Sequence, residues 1–226
     1  MKNLFLEYGI TLTEPQEKQF DKYAELLVKY NGFFNLTSIT DRRDINIKHF
    51  IDSAICQQLL IGESLIDIGS GGGFPALPIK IIKPELKITL VDATEKKCEF
   101  LKIVAKELNL ENVEVICGRA EELAKDPKYR EKFDICTARA VARLNILAEY
   151  CIPFVKKGGM FVAFKGDCDD EIKEAGKAIE MLGGNIILQD KYLLDGAKRT
   201  LVVIEKEEKT PDRYPRSNAK IKNKPL

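Results

Sequence analysis

Nine residues, Asp67-Ile68-Gly69-Ser70-Gly71-Gly72-Gly73-Phe74-Pro75, follow a short apolar run and precede a longer one. Four glycines in five positions let the backbone turn sharply and leave no side chain between main chain and ligand. A merely tight strand-to-helix turn needs fewer. In an open parallel sheet the first such turn borders the crevice where ligands bind. The segment therefore predicts an α/β fold with a binding site here.

The rest of the chain is consistent with that frame. Beyond Gly62, candidate strands fall at Ser64–Gly69, Lys87–Asp92, Val113–Cys117, Phe133–Ala138 and Gly159–Lys165. Helices fit between and after them, at Glu95–Leu108, Asn145–Phe154 and Asp169–Leu182. Such alternation predicts a mostly parallel sheet with helices on both faces. Two last strands, Asn185–Leu193 and Arg199–Glu205, flank a turn containing Asp195-Gly196, so an antiparallel hairpin should close the sheet.

The N-terminal part reads as helical. Thr13-Glu14-Pro15-Gln16 has the form of a capping box with proline in the first turn. Phe20, Tyr23, Ala24, Leu27 and Val28 then recur at helical spacing, and Asn31-Gly32 should end that helix. A polar stretch from Thr37 to Asp44 carries Arg42 and Arg43, before a second helix from about Ile47 to Leu60. The expected parts are an N-terminal helical extension over 1–62, a binding domain over 63–206 and a basic tail over 207–226.

Composition narrows the function classes. The chain has 226 residues, 45% hydrophobic and 31% charged, as in ordinary globular proteins. Six cysteines lie at least fifteen residues apart, so neither a zinc site nor any other metal site is expected. No signal peptide and no apolar run of the ~18 residues of a membrane helix is seen, so a reducing cytoplasm is the expected location. Net charge is +1, but residues 209–226 hold six basic residues against one acid, leaving −4 for the remainder. Such a tail is either a polyanion-contacting segment or a solvated terminus.

Which ligand the glycine turn takes is less sharply defined. Read from Gly71, the turn formally satisfies a dinucleotide GxGxxA pattern ending at Ala76, so a nicotinamide cofactor stays open. Asp67 argues otherwise. A carboxylate ahead of the glycines would repel a pyrophosphate but attract a sulfonium. Asp92 lies at the end of the next strand, nineteen residues beyond Gly73, where it can accept both ribose hydroxyls. Ala93 and Thr94 follow, Thr94 fitting a helix N-cap. Arg119-Ala120-Glu121 after the third strand is either the adenine-reading position or another helix start. Arg139 should emerge at the carboxyl end of the fourth strand, facing the crevice.

Several stretches together resemble the class I, Rossmann-like S-adenosylmethionine-dependent methyltransferases, and more narrowly the RsmG (GidB) family. They are Asn35-Leu36-Thr37-Ser38-Ile39-Thr40, His49-Phe50-Ile51-Asp52-Ser53, Asp67 through Pro75, Thr137-Ala138-Arg139-Ala140, and Arg213-Tyr214-Pro215-Arg216 with Lys224-Pro225-Leu226. The resemblance implies methyl transfer from S-adenosyl-L-methionine to guanine N7 of 16S ribosomal RNA, with RNA or the small ribosomal subunit as partner; a monomer is the expected state. By position the resemblance implies cofactor contacts from Gly69, Phe74, Asp92, Ala93, Thr94, Ala120, Glu121 and Arg139, to which the reading of the glycine turn adds Asp67 and Gly71. The family loop often has Pro or Ala where this chain has Gly72.

Guanine N7 presents an unprotonated lone pair, so the reaction needs positioning rather than a general base. That suits a chain with one histidine, His49, expected to serve structure or RNA contact. Arg139, Lys165 and Arg199 are the positioning candidates. Arg42, Arg43, Lys165, Arg199, Arg213 and Arg216, with Lys48, are candidates to hold RNA phosphates. No Asn/Asp-Pro-Pro-aromatic signature follows the fourth strand, and no cysteine follows a proline, which disfavours amino-group and cytosine-C5 acceptors.

Overall fold

The computed structural model describes residues 1–226. Its sheet has seven strands: β1 (Ser64–Ile68), β2 (Lys87–Asp92), β3 (Val113–Cys117), β4 (Phe133–Arg139), β5 (Val155–Lys165), β6 (Gly184–Leu194) and β7 (Ala197–Lys206). They lie in the order β3-β2-β1-β4-β5-β7-β6. All neighbours are parallel except β7, which is antiparallel to β5 and β6. The β6–β7 turn is Asp195-Gly196, both at positive φ (50° and 78°), as a two-residue hairpin loop demands. Strand order reverses between β1 and β4, and the crevice opens there.

Strand residues alternate between two cores. Leu65, Leu90, Ile135, Val162, Leu201 and Val203 point to one face. There they meet α2 (Glu14–Phe34), α5 (Ala76–Ile82), α6 (Glu95–Glu107) and a helical run over residues 42–58. Ile66, Cys136, Phe161, Ala163, Val202 and Ile204 point to the other. They are covered by α8 (Leu144–Cys151) and α9 (Asp169–Met181), with the short α7 (Ala120–Leu123) alongside. The N-terminal helices are thus one layer of the core. Phe5 of α1 (Lys2–Glu7) packs at a tilt against Phe20, and Phe20 against Phe50, each with ring centroids 5.0 Å apart and all fully buried. Each such ring contributes roughly 1.5–3 kcal/mol.

Local boundaries differ from expectation in three places. The capping box forms, with Thr13 and Gln16 bonded reciprocally. The helix, however, runs through Asn31-Gly32 to Phe34 and ends at Asn35 in the left-handed conformation, φ 50°. Asn31 is not the stop. Its side chain accepts from the amides of Leu36 and Thr37, at 2.8 and 3.0 Å, and donates to the Thr37 carbonyl, holding the chain as it leaves the helix.

The second helix starts earlier than Ile47. Asp41 caps α3 (Arg42–Ile45), followed by a π-helical turn at Asn46–Ile51, α4 (Asp52–Ala54) and a 3₁₀ turn at Ile55–Gln58. Arg42 and Arg43 therefore sit on a helix rather than in a loop.

The third difference is β5, which begins at Val155 because Val155 pairs with Phe133 before the register shifts. Gly159 sits at that shift, where a Cβ would lie 2.6 Å from the Asp134 carbonyl oxygen. No helix is long and apolar enough to cross a membrane.

Candidate functional site

Two adjoining cavities open at the carboxyl ends of the strands. The first, of about 330 Å³, is bordered by Ile68 and Gly69 at the end of β1, Asp92 and Ala93 at the end of β2, Gly118 to Glu121 after β3 and Ala140 to Ala142 after β4. The second, of about 400 Å³, is lined by Lys48, His49, Asp52, Arg139, Lys165 and Arg199 among others. Ala140, at φ +57°, borders both.

The glycine turn is held from two sides. Gly69 and Ser70 donate to the Val91 carbonyl, and Gly71 donates to the Asp92 carboxylate at 2.9 Å. The other Asp92 oxygen accepts from Thr94 N, also at 2.9 Å. From the other side, the Tyr23 hydroxyl of α2 donates to the Gly72 carbonyl at 2.5 Å. Gly69 has φ +73°, and a Cβ there would lie 2.5 Å from Val141 Cγ2. Gly72 has no such φ, and its Cβ would come 3.0 Å from the Phe74 ring.

Asp67 is fully buried under this turn. Its Oδ1 accepts from the Thr137 hydroxyl at 2.7 Å, while Oδ2 has no hydrogen-bond partner. Burial pushes its pKa up to about 7, partly offset by neighbouring hydroxyls and by Arg139. A buried acid so placed gains most from a nearby cation.

Phe74 does not line the first cavity. Its ring turns into the N-terminal layer, stacking on His49 at 4.4 Å and on Tyr23 at 5.6 Å between centroids. The Arg139 guanidinium lies over the Phe74 ring, 5.0 Å from its centre. Arg139 emerges from β4 towards the second cavity and is held by three acceptors. They are Asp52 Oδ2 at 2.9 Å, the Lys48 carbonyl at 2.8 Å and His49 Nδ1 at 3.0 Å. Guanidinium only donates, so Nδ1 of His49 must be the unprotonated nitrogen. Nε2–H then donates to the Thr37 hydroxyl at 2.8 Å. Burial, together with Arg139, lowers the His49 pKa to about 3, so the ring is neutral at physiological pH. The π turn and the first residue of α4 place Lys48, His49 and Asp52 around this one guanidinium.

The chain's sequence is decisive at this point. The profile of the GidB family, described as rRNA small subunit methyltransferase G, matches residues 16–193. The chain belongs to the GidB family. A protein named Ribosomal RNA small subunit methyltransferase G from Leuconostoc mesenteroides is 48% identical over 96% of this chain and 94% of that one. Its namesake from Leuconostoc citreum is 47% identical over 96% and 94%. Among solved structures, a SAM dependent methyltransferase from Aquifex aeolicus superposes with a TM-score of 0.53 at 16% identity, covering 73% of this chain and 93% of that one. The fold of this GidB chain is that of the class I methyltransferases, and its cofactor is S-adenosyl-L-methionine.

The site fits that cofactor. The unpartnered Asp67 oxygen suits a sulfonium, the Asp92 carboxylate keeps lone pairs for ribose hydroxyls, and Gly69 leaves the cavity floor bare. Of the positions expected to touch it, Gly69, Asp92, Ala93, Ala120 and Glu121 line the first cavity. Asp67, Gly71 and Thr94 do not line it, and Arg139 lines the second cavity. The sequence reading did not include Lys97, Tyr150, Asn218 or Lys222 at the first cavity, nor Glu171 at the second. No local motif marks them, because they arrive from helices and from the tail.

The positive candidates separate clearly. Lys165 and Arg199 join Arg139 in the second cavity. Lys165 is bound to Glu171 at 2.6 Å and to the Ala142 carbonyl at 2.9 Å, and Arg199 lies 3.6 Å from Asp52. On the surface, Arg42 pairs with Asp21, Arg43 pairs with Asp195 at 3.2 Å, and Arg213 covers the Tyr214 ring. Arg216 is committed elsewhere. It chelates Glu149, whose side chain is 1% exposed, and ties the tail to α8.

Proposed function

We propose that this GidB chain transfers the methyl group of S-adenosylmethionine to N7 of a guanine in 16S ribosomal RNA, the base entering the second cavity. The observation that carries the reading is a cationic acceptor cavity with its histidine held neutral at a pKa of about 3. Its neighbours Lys165 and Arg199 donate to acidic and carbonyl acceptors in the fold. Such a site suits an acceptor that attacks with a lone pair and needs no deprotonation. No cysteine lines either cavity, so a cytosine-C5 route lacks its nucleophile.

S-adenosylmethionine supplies a sulfonium-bound electrophilic methyl. Transfer of that methyl to N7 would leave the carbon–sulfur electron pair on sulfur, so the protein would need only to hold donor and acceptor in line. Positive charge passes to the purine and no proton moves. Asp67 would hold the sulfonium end through its buried, unpartnered Oδ2. Asp92 holds the ribose, and Ala120-Glu121 border the adenine end. Asp52 and Glu171 carry negative charge at the acceptor cavity, where the methylated purine becomes cationic. Arg139 fixes the wall shared by N-terminal helices and β4, and Arg199 and Lys165 can reach guanine O6 or a phosphate. Arg42, Arg43 and Arg213 supply surface charge for the RNA backbone.

The test is methylation of small ribosomal subunits lacking this modification, read as 7-methylguanosine by mass spectrometry after digestion. The wild-type chain should produce it and Asp92→Ala should not. Cofactor binding without methylated guanine would leave the fold and remove the acceptor.

A further inference from the structure

The expected tail does not hang free. Tyr214 and Ile221 are 5% and 0% exposed, and Arg130 donates to the carbonyls of Thr210, Pro211 and Tyr214. Arg216 chelates buried Glu149, and α10 (Asn218–Asn223) comes to rest against α8. This docking brings Asn218 and Lys222 to the rim of the first cavity. The Asn218 Oδ1 accepts from the Tyr150 hydroxyl at 2.6 Å, which leaves its amide N–H groups without a protein partner. The Lys222 side chain lines the cavity and makes neither a hydrogen bond nor an ion pair with the protein. Tyr150, which Asn218 meets, lines the same cavity as Ala120 and Glu121, so the tail corner adjoins that end.

We infer that the C-terminal segment is a wall of the cofactor site, with Asn218 and Lys222 as cofactor-contact residues at the adenosine end. Two unengaged donor groups face a ligand whose purine and ribose are rich in acceptors. The inference rests on assigning the first cavity to S-adenosylmethionine. It also changes what the basic tail does: part of its charge serves the cofactor rather than RNA.

Calorimetric titration of the full-length chain with S-adenosylhomocysteine tests it. Asn218→Ala and Lys222→Ala should each raise Kd about tenfold, the usual effect of losing one good hydrogen bond. Lys220→Ala, an equal charge change on the same short helix, should leave Kd unchanged. Lys222 has no protein partner, so its variant should melt with the wild type. The ligand should also slow tryptic cleavage within residues 220–224 of the unaltered chain. If Asp92→Ala binds weakly while both tail variants bind like wild type, the tail has no cofactor role and the cavity assignment stands. If Asp92→Ala also binds like wild type, the cavity assignment itself falls. Equal weakening by Lys220→Ala and Lys222→Ala would reduce the effect to long-range charge and overturn the contact.

Discussion

Arg139 of β4 donates to Nδ1 of His49 at 3.0 Å, and this single bond fixes the histidine as the neutral Nε2–H tautomer. The ring can then neither accept a proton from a substrate at its occupied Nδ1 nor carry charge into the acceptor cavity. The dependence of kcat on pH, measured at saturating cofactor, should show no imidazole inflection near its ordinary value of about 6.5. An inflection there that disappears in His49→Gln would show a general base and sink the N7 mechanism.

The same guanidinium neutralises Asp52, whose side chain is 5% exposed. Arg139→Met leaves that carboxylate with the Tyr192 hydroxyl at 3.0 Å and Arg199 at 3.6 Å. A broken buried pair costs about 3–5 kcal/mol. The melting temperature should fall by roughly 6–20 °C. Arg139→Lys should recover only part of this, because an ammonium cannot span three acceptors in the planar fork. Full recovery by lysine would mean the charge alone matters.

Asp67 couples cofactor charge to pH. Its pKa is raised by burial to about 7, so below that value the cofactor meets a neutral acid. Affinity for S-adenosylmethionine should rise with pH up to about 7 and then level off, more steeply than for uncharged S-adenosylhomocysteine. Asp67→Asn should flatten the difference. The stability effect has the opposite sense. A raised carboxyl stabilises fully below its unfolded value of 3.8, and that contribution is lost as pH rises towards 7, by up to about 1.4 kcal/mol per unit. His49 runs the other way, contributing above its unfolded value of 6.5 and losing that as pH falls towards about 3. Melting curves of the wild type should therefore change less between pH 4 and 6.5 than those of either single variant. Parallel curves for wild type and Asp67→Asn would show that Asp67 is ionised throughout.

The glycines are not equivalent. Gly69→Ala would place a Cβ 2.5 Å from Val141 at a positive φ of 73°. It should weaken S-adenosylhomocysteine binding more than about tenfold, as strain of a few kcal/mol implies. Gly72→Ala meets only the edge of the Phe74 ring at 3.0 Å and has an ordinary φ. It should bind within about threefold of wild type, the cost of a small ring adjustment. Equal losses in a titration of both would place the constraint in loop flexibility instead.

Arginines near the surface should separate by salt dependence. Arg43 is 62% exposed and paired only with Asp195, so Arg43→Ala should lower the salt slope of RNA binding by roughly one. Arg216→Ala should leave that slope unchanged and instead lower the melting temperature, because Glu149 is left buried and uncompensated. A lower slope for Arg216→Ala would mean that its pair with Glu149 opens on RNA.

The sequence by itself determined the parallel sheet, the closing hairpin and the glycine turn with Asp67 and Asp92. These features are local: strand periodicity, a two-residue Asp-Gly turn and glycine spacing all act over a few residues. It also led to Arg139, Lys165 and Arg199, though not to their meeting in one cavity. Tertiary structure decided the rest. Phe74 turned from the cofactor turn into the N-terminal layer because His49 and Tyr23 offered it aromatic faces. Arg216 and the tail became a wall because Glu149, buried on α8, required a cation at close range. Such choices depend on partners distant in sequence, and the energy of burying a charge or a ring exists only once those partners are assembled.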